Sequence, residues 1–95
     1  MKHRSENEII ALILETVTNT QRPTRTRIMY EAFLSFAQLK QYLSLLIERR
    51  LLEYMPEQMI YKVTEKGTHF LQLHNQITEV LDIRQVKGIT DGKYR

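Results

Sequence analysis

Arg22, Arg25 and Arg27 stand within a six-residue stretch that contains no acid. Guanidinium groups bind phosphate oxygens through paired hydrogen bonds, and Thr24 and Thr26, interleaved with them, add hydroxyl donors. A second polar group follows: Ser35, Ala37, Gln38, Lys40, Gln41 and Ser44. Glutamine can pair with adenine through two bonds, lysine can reach guanine or a phosphate, and serine suits either. The first group would position a polyanion and the second would read its base edges. The plainer readings are a set of arginines kept for solubility and the solvated face of an amphipathic helix.

These residues need elements to hold them. Ser5 followed by Glu8 is a capping box, and Ile9, Ile10, Leu12, Ile13 and Val17 recur at helical spacing behind it. The pattern predicts a first helix from about Asn7 to Thr18. A polar loop, Asn19 to Pro23, follows. Thr24 can cap a second helix ending near Ala32, with Ile28 and Ala32 inward and Phe33 and Leu34 in the turn. The arginines then surround a helix start, where free N–H groups and the dipole favour anions. Ser35 with Gln38 forms another capping box, opening a third helix whose stripe is Phe36, Leu39, Leu43, Leu46 and Ile47. With that stripe turned inward, Ala37, Gln38, Lys40, Gln41 and Ser44 face mostly outward. Arg49 and Arg50 fall in the last turn, complementing the dipole. Tyr30 could pack in the core or offer its hydroxyl to a phosphate, and packing is the favoured reading.

Leu51 to Met55 and Met59 to Val63 read as two short strands around a turn-like insert, Pro56 to Gln58. Tyr54 and Tyr61 on them read as packing residues. Lys62 adds a cation for phosphate. Thr64 caps a fourth helix running to about Ile83, with Phe70, Leu73, Ile77 and Val80 at spacings of three and four. The chain thus divides into residues 1–63, a helix over 64–83 and a polar, mobile tail over 84–95. The order α-α-α-β-β-α is mainly α with a small β-hairpin, the arrangement of a winged helix-turn-helix.

Bulk composition narrows the function classes. The 95-residue chain carries a formal charge of +3, modest beside non-specific DNA packagers. It contains no cysteine, which excludes disulfides and Cys-based zinc sites. No apolar run approaches the ~20 residues of a membrane span, so the expected location is cytoplasmic. His69 and His74 point to different sides of their helix without acidic partners at ligand spacing, so no metal site is expected. No cofactor is implied. Paired carboxylates, Ser-His-Asp cues and phosphate-cradling glycine loops are missing, and an enzyme is not the expectation.

Thr26-Arg27-Ile28-Met29-Tyr30, followed by Leu34-Ser35-Phe36, resembles the helix-turn-helix of small archaeal winged-helix DNA-binding proteins. Tyr61 to Gly67, with Phe70 and Leu71 after it, is similar to that family's junction between wing and last helix. The likeness covers about residues 5 to 83. It implies a homodimer joined by the last helices, and contacts to double-stranded DNA from the recognition helix and wing. Leu73, Ile77, Val80 and Leu81 are the expected dimer interface, beyond Phe70 and Leu71, which reach the domain. The leading expectation is a dimeric transcriptional regulator, with an architectural chromatin role as a variant. A protein-interaction subunit of a larger assembly is the second class, favoured by the wing tip, which carries Glu57 and no basic residue.

Overall fold

The structure is a computed structural model that describes residues 4–81. The order is α1 (Glu6–Asn19), α2 (Arg25–Glu31), α3 (Phe36–Glu48), β1 (Leu52–Met55), β2 (Ile60–Val63) and α4 (Glu65–Leu81). The expected mobile tail and the last two residues of the expected fourth helix lie outside the described residues.

Both capping boxes form. The Ser5 Oγ accepts from the Glu8 N–H and the Glu8 carboxylate from the Ser5 N–H. Ser35 and Gln38 repeat the arrangement at α3, at 3.1 and 3.2 Å. These reciprocal bonds satisfy first-turn donors and set each helix start within a residue of its expected place. Thr24 caps α2 in the simpler way, its Oγ1 accepting from the Arg27 N–H.

Helices α2 and α3 both end on a Schellman motif without glycine. After α2, the Phe33 N–H reaches the Tyr30 carbonyl and the Leu34 N–H reaches Met29, with Phe33 at φ 56°. After α3, Arg50 and Leu51 donate to Ile47 and Leu46, and Arg50 sits at φ 62°. The residue following each left-handed position, Leu34 or Leu51, is buried and anchors the exit. Arg49 is therefore the C-cap and Arg50 lies beyond it, so the expected pair of last-turn cations is displaced past the helix end. A side chain in the left-handed region costs about 1 kcal/mol that glycine does not. Arg50→Gly is accordingly expected to raise stability by roughly 0.5–1 kcal/mol, read as a higher midpoint in urea.

The core gathers Ile9, Ile10, Ile13, Leu14 and Val17 from α1 with Ile28 and Ala32, Leu39, Leu43 and Leu46, and Leu51, Leu52 and Tyr61. The strands pair antiparallel, with Tyr54 opposite Tyr61 and Glu53 opposite Lys62. The Tyr61 N–H donates to the Pro23 carbonyl at 3.0 Å, so the loop before α2 lies along β2 as a further backbone partner. Each strand is one residue shorter than expected: Leu51 belongs to the helix exit, and Met59 takes φ 57° in the turn.

The start of α4 is fastened to the end of α3. The Thr64 Oγ1 donates to the Arg50 carbonyl at 2.7 Å and accepts from the Gly67 N–H at 3.0 Å, and the Lys66 Nζ donates to the Arg49 carbonyl. Gly67 permits the approach. A Cβ there would collide with the Leu51 carbonyl oxygen and stand 2.7 Å from the Val63 Cγ1. Helix α4 turns a modest face inward, Gly67 and Thr78 buried with Leu71 and His74 partly so, while Leu73, Ile77, Val80 and Leu81 remain exposed.

Candidate nucleic-acid interface

Helix α3 buries Leu39, Leu43 and Leu46, and the opposite arc holds Ala37, Lys40, Gln41 and Ser44, all exposed. Its sole acid, Glu48, is its last residue. The first three turns therefore present a methyl, an ammonium, an amide and a hydroxyl with no carboxylate among them. Ser35 and Gln38 are exposed too, but they serve the cap. The Gln38 Oε1 accepts from the Ser35 N–H, and two-bond pairing to adenine needs both Oε1 and Nε2. Gln41, without a cap to make, has the full amide for that chemistry.

The arginines part company. The Arg25 guanidinium lies over the Phe36 ring, 6.0 Å from its centroid, on the side where α2 meets α3. Arg22, Thr24, Arg25 and Thr26 share a depression with Tyr54 and Met59 of the hairpin. The Arg22 Nη2 donates to the Gln58 carbonyl at 3.2 Å, tying the loop to the wing tip. Arg27 turns the other way, into a hollow lined by Glu15 and Glu31, where its Nε bonds the Glu31 carboxylate at 3.3 Å. Two residues along a helix is about 200° of rotation, which separates Arg25 from Arg27. The seven-residue α2 also has a short dipole, and its cap already takes one first-turn donor. The guanidiniums, rather than the helix end, are what this corner offers an anion.

A winged helix-turn-helix family model matches residues 3–82. The chain belongs to the winged helix-turn-helix family. No curated protein matches it significantly. Membership supports a DNA-binding role.

Two aromatic residues of this winged helix-turn-helix differ from the sequence reading. Phe36, expected to face the core, is 55% exposed, and Tyr30, expected to pack, is 69% exposed. Phe33, in the turn, is more open still. Ile47, the last of the expected inward stripe, is also exposed. The buried arc of α3 is narrower than its apolar arc: Leu39, Leu43 and Leu46 enter the core, where the helix packs against β1, and Phe36 and Ile47 fall outside it. The periodicity could have hinted at this, because both lie on the same margin of the stripe.

The wing is nearly neutral. Lys62 is exposed on β2, but Glu53 stands directly opposite it, and Glu57 occupies the turn. Tyr61 is buried, and Tyr54 packs its ring at 4.8 Å while remaining partly open. No described helix is long and apolar enough to cross a membrane.

Proposed function

We propose that this protein is a dimeric transcription regulator that sets α3 into the major groove of duplex DNA. The observation that carries the reading is the exposed, acid-free face of α3, Ala37, Lys40, Gln41 and Ser44, with Arg25 beside its first turn. Lys40, Gln41 and Ser44 would meet base edges, and Ser35 and Gln38 would hold the helix start toward the backbone. Arg25, Arg22, Thr24 and Thr26 would contact phosphates, with smaller parts for Arg27, paired to Glu31, and Lys62, opposite Glu53.

Binding of labelled random-sequence duplex by fluorescence anisotropy at several salt concentrations tests this. Micromolar affinity falling steeply with salt is expected, because phosphate contacts release counterions. Folded protein that fails to bind at low salt would sink the reading.

The dimer rests on α4. Leu73, Ile77 and Val80 recur on one side, and all three are exposed in the single chain, as is Leu81. A second copy of α4 is the self-complementary cover for such a stripe, and pairing would space two α3 helices for successive grooves. Ile77→Glu with Val80→Glu is expected to shift the mass in sedimentation equilibrium from two chains to one, leaving the far-ultraviolet spectrum unchanged. The second reading, a protein-binding winged helix, draws on the acidic wing tip at Glu57.

A further inference from the structure

Phe36 has no folding role that accounts for it. It is the first residue of α3, more than half its surface is open to solvent, and the core closes without it. An aromatic side chain left in water forgoes a burial energy that its neighbours on the helix collect. Its one ring partner among the described residues is a cation: the Arg25 guanidinium lies over the ring, 6.0 Å from its centroid. Ala37 follows it, also exposed, and Lys40 stands one turn further, four residues from Phe36 and three from Ala37. The first turn of α3 is thus an apolar step flanked by two cations and no acid.

We infer that Phe36 and Ala37 form a thymine-methyl reading edge, and that the site this protein selects carries thymine where the first turn of α3 enters the major groove. The inference rests on the DNA-binding reading above and specifies its target. The C5-methyl of thymine is the one apolar group a base pair presents in the major groove, and alanine and phenylalanine are among the side chains that meet it. Residues at the start of a recognition helix are those that reach base edges. The flanking Arg25 and Lys40 select for a polyanion around the apolar step, which an apolar protein partner would not match. Arg25 would also bring its charge to the adjacent phosphate from its place beside the ring.

The test begins with a site selected from a random duplex library. Each thymine of that site is then replaced in turn by deoxyuridine, which removes the methyl and leaves base pairing intact. Wild-type affinity is expected to fall about fourfold for each methyl covered, the equivalent of one buried carbon. Phe36→Ala is expected to bind the thymine duplex more weakly and to lose the distinction from the deoxyuridine duplex, while Phe36→Leu keeps part of it. Thermal melts of both variants check the fold. A selected site without thymine opposite the first turn, or equal wild-type binding to both duplexes, overturns the inference and leaves the DNA reading standing. A distinction that survives in Phe36→Ala removes the assignment to Phe36. Failure to bind any duplex defeats the DNA reading and the inference with it.

Discussion

Arg25→Glu combined with Lys40→Glu is expected to lower affinity for duplex DNA on the order of 100-fold at low salt. The two cations flank the first turns of α3, Arg25 over the Phe36 ring and Lys40 on the exposed arc. Losing the Arg25 phosphate contact should make the plot of log affinity against log salt shallower by about 1, since each such contact contributes roughly 0.9 to the slope, while Lys40 is lost from the base edges. Reversing the charges adds repulsion to that loss. Both side chains lie outside the hydrophobic core, so the melting temperature should move little. Arg27→Glu provides the internal comparison. Arg27 bonds Glu31 on the side of α2 that faces α1, so its reversal should weaken DNA binding far less, while placing two acids four residues apart at a cost of a few tenths of a kcal/mol. Anisotropy titrations on the wild type, the double variant and the single Arg25→Glu and Arg27→Glu variants measure the affinities, and thermal melts measure the stabilities. Equal losses from Arg25→Glu and Arg27→Glu would mean that the whole start of α2 meets the phosphates, against the geometry described above.

Gly67→Ala is expected to lower stability markedly, because the added methyl meets backbone. The added Cβ meets the Leu51 carbonyl oxygen, a backbone atom, and the Val63 Cγ1 at 2.7 Å. Neither can yield cheaply. Leu51 is pinned by its N–H bond to Leu46 and by accepting from the Thr64 N–H, and Val63 is in the strand pair. Overpacking of this kind costs roughly 1–3 kcal/mol, and contact with backbone argues for the upper part of that range. For a domain of this size the melting temperature should fall on the order of 10 °C. Helical propensity alone would favour alanine by about 1 kcal/mol, so the sign of the result decides between helix preference and close approach. The displacement of α4 would also disturb the exposed Leu73, Ile77 and Val80 stripe. Under the dimer reading, self-association should then weaken along with stability. A melting temperature unchanged or raised would show that α4 has room to move away from the hairpin.

Much of the scaffold was legible before any coordinates. Ser5 with Glu8, Thr24, Ser35 with Gln38, and Thr64 mark four helix starts, and each makes its capping bond. Ile28 with Ala32, and Leu39, Leu43 and Leu46, are buried where helical spacing places them. Phe70 and Leu71 lean on the core while Leu73, Ile77, Val80 and Leu81 stay open, in keeping with the reach of a single domain. The exposed polar positions of α3 followed from the same periodicity. Phe36, Tyr30 and Ile47 did not follow, because apolar character says what a side chain prefers and not whether a neighbour is present to cover it.

The candidate interface shows the same division. Local chemistry within the chain determined the element order, the helix starts and the composition of the α3 face. Those features depend on hydrogen bonds spanning three or four residues and on a period of 3.6, both readable along a line. Tertiary structure alone decided that Arg25 joins Phe36 and that Arg22 fastens the loop to the wing tip. It likewise decided that Lys62 faces Glu53 across the hairpin, and that Gly67 makes room for the Leu51 carbonyl. Most of these contacts join residues far apart in the chain. The Arg25–Arg27 divergence depends instead on which side of α2 the fold covers. Their partners are set by how the elements pack in three dimensions, and no spacing rule along the chain carries that information.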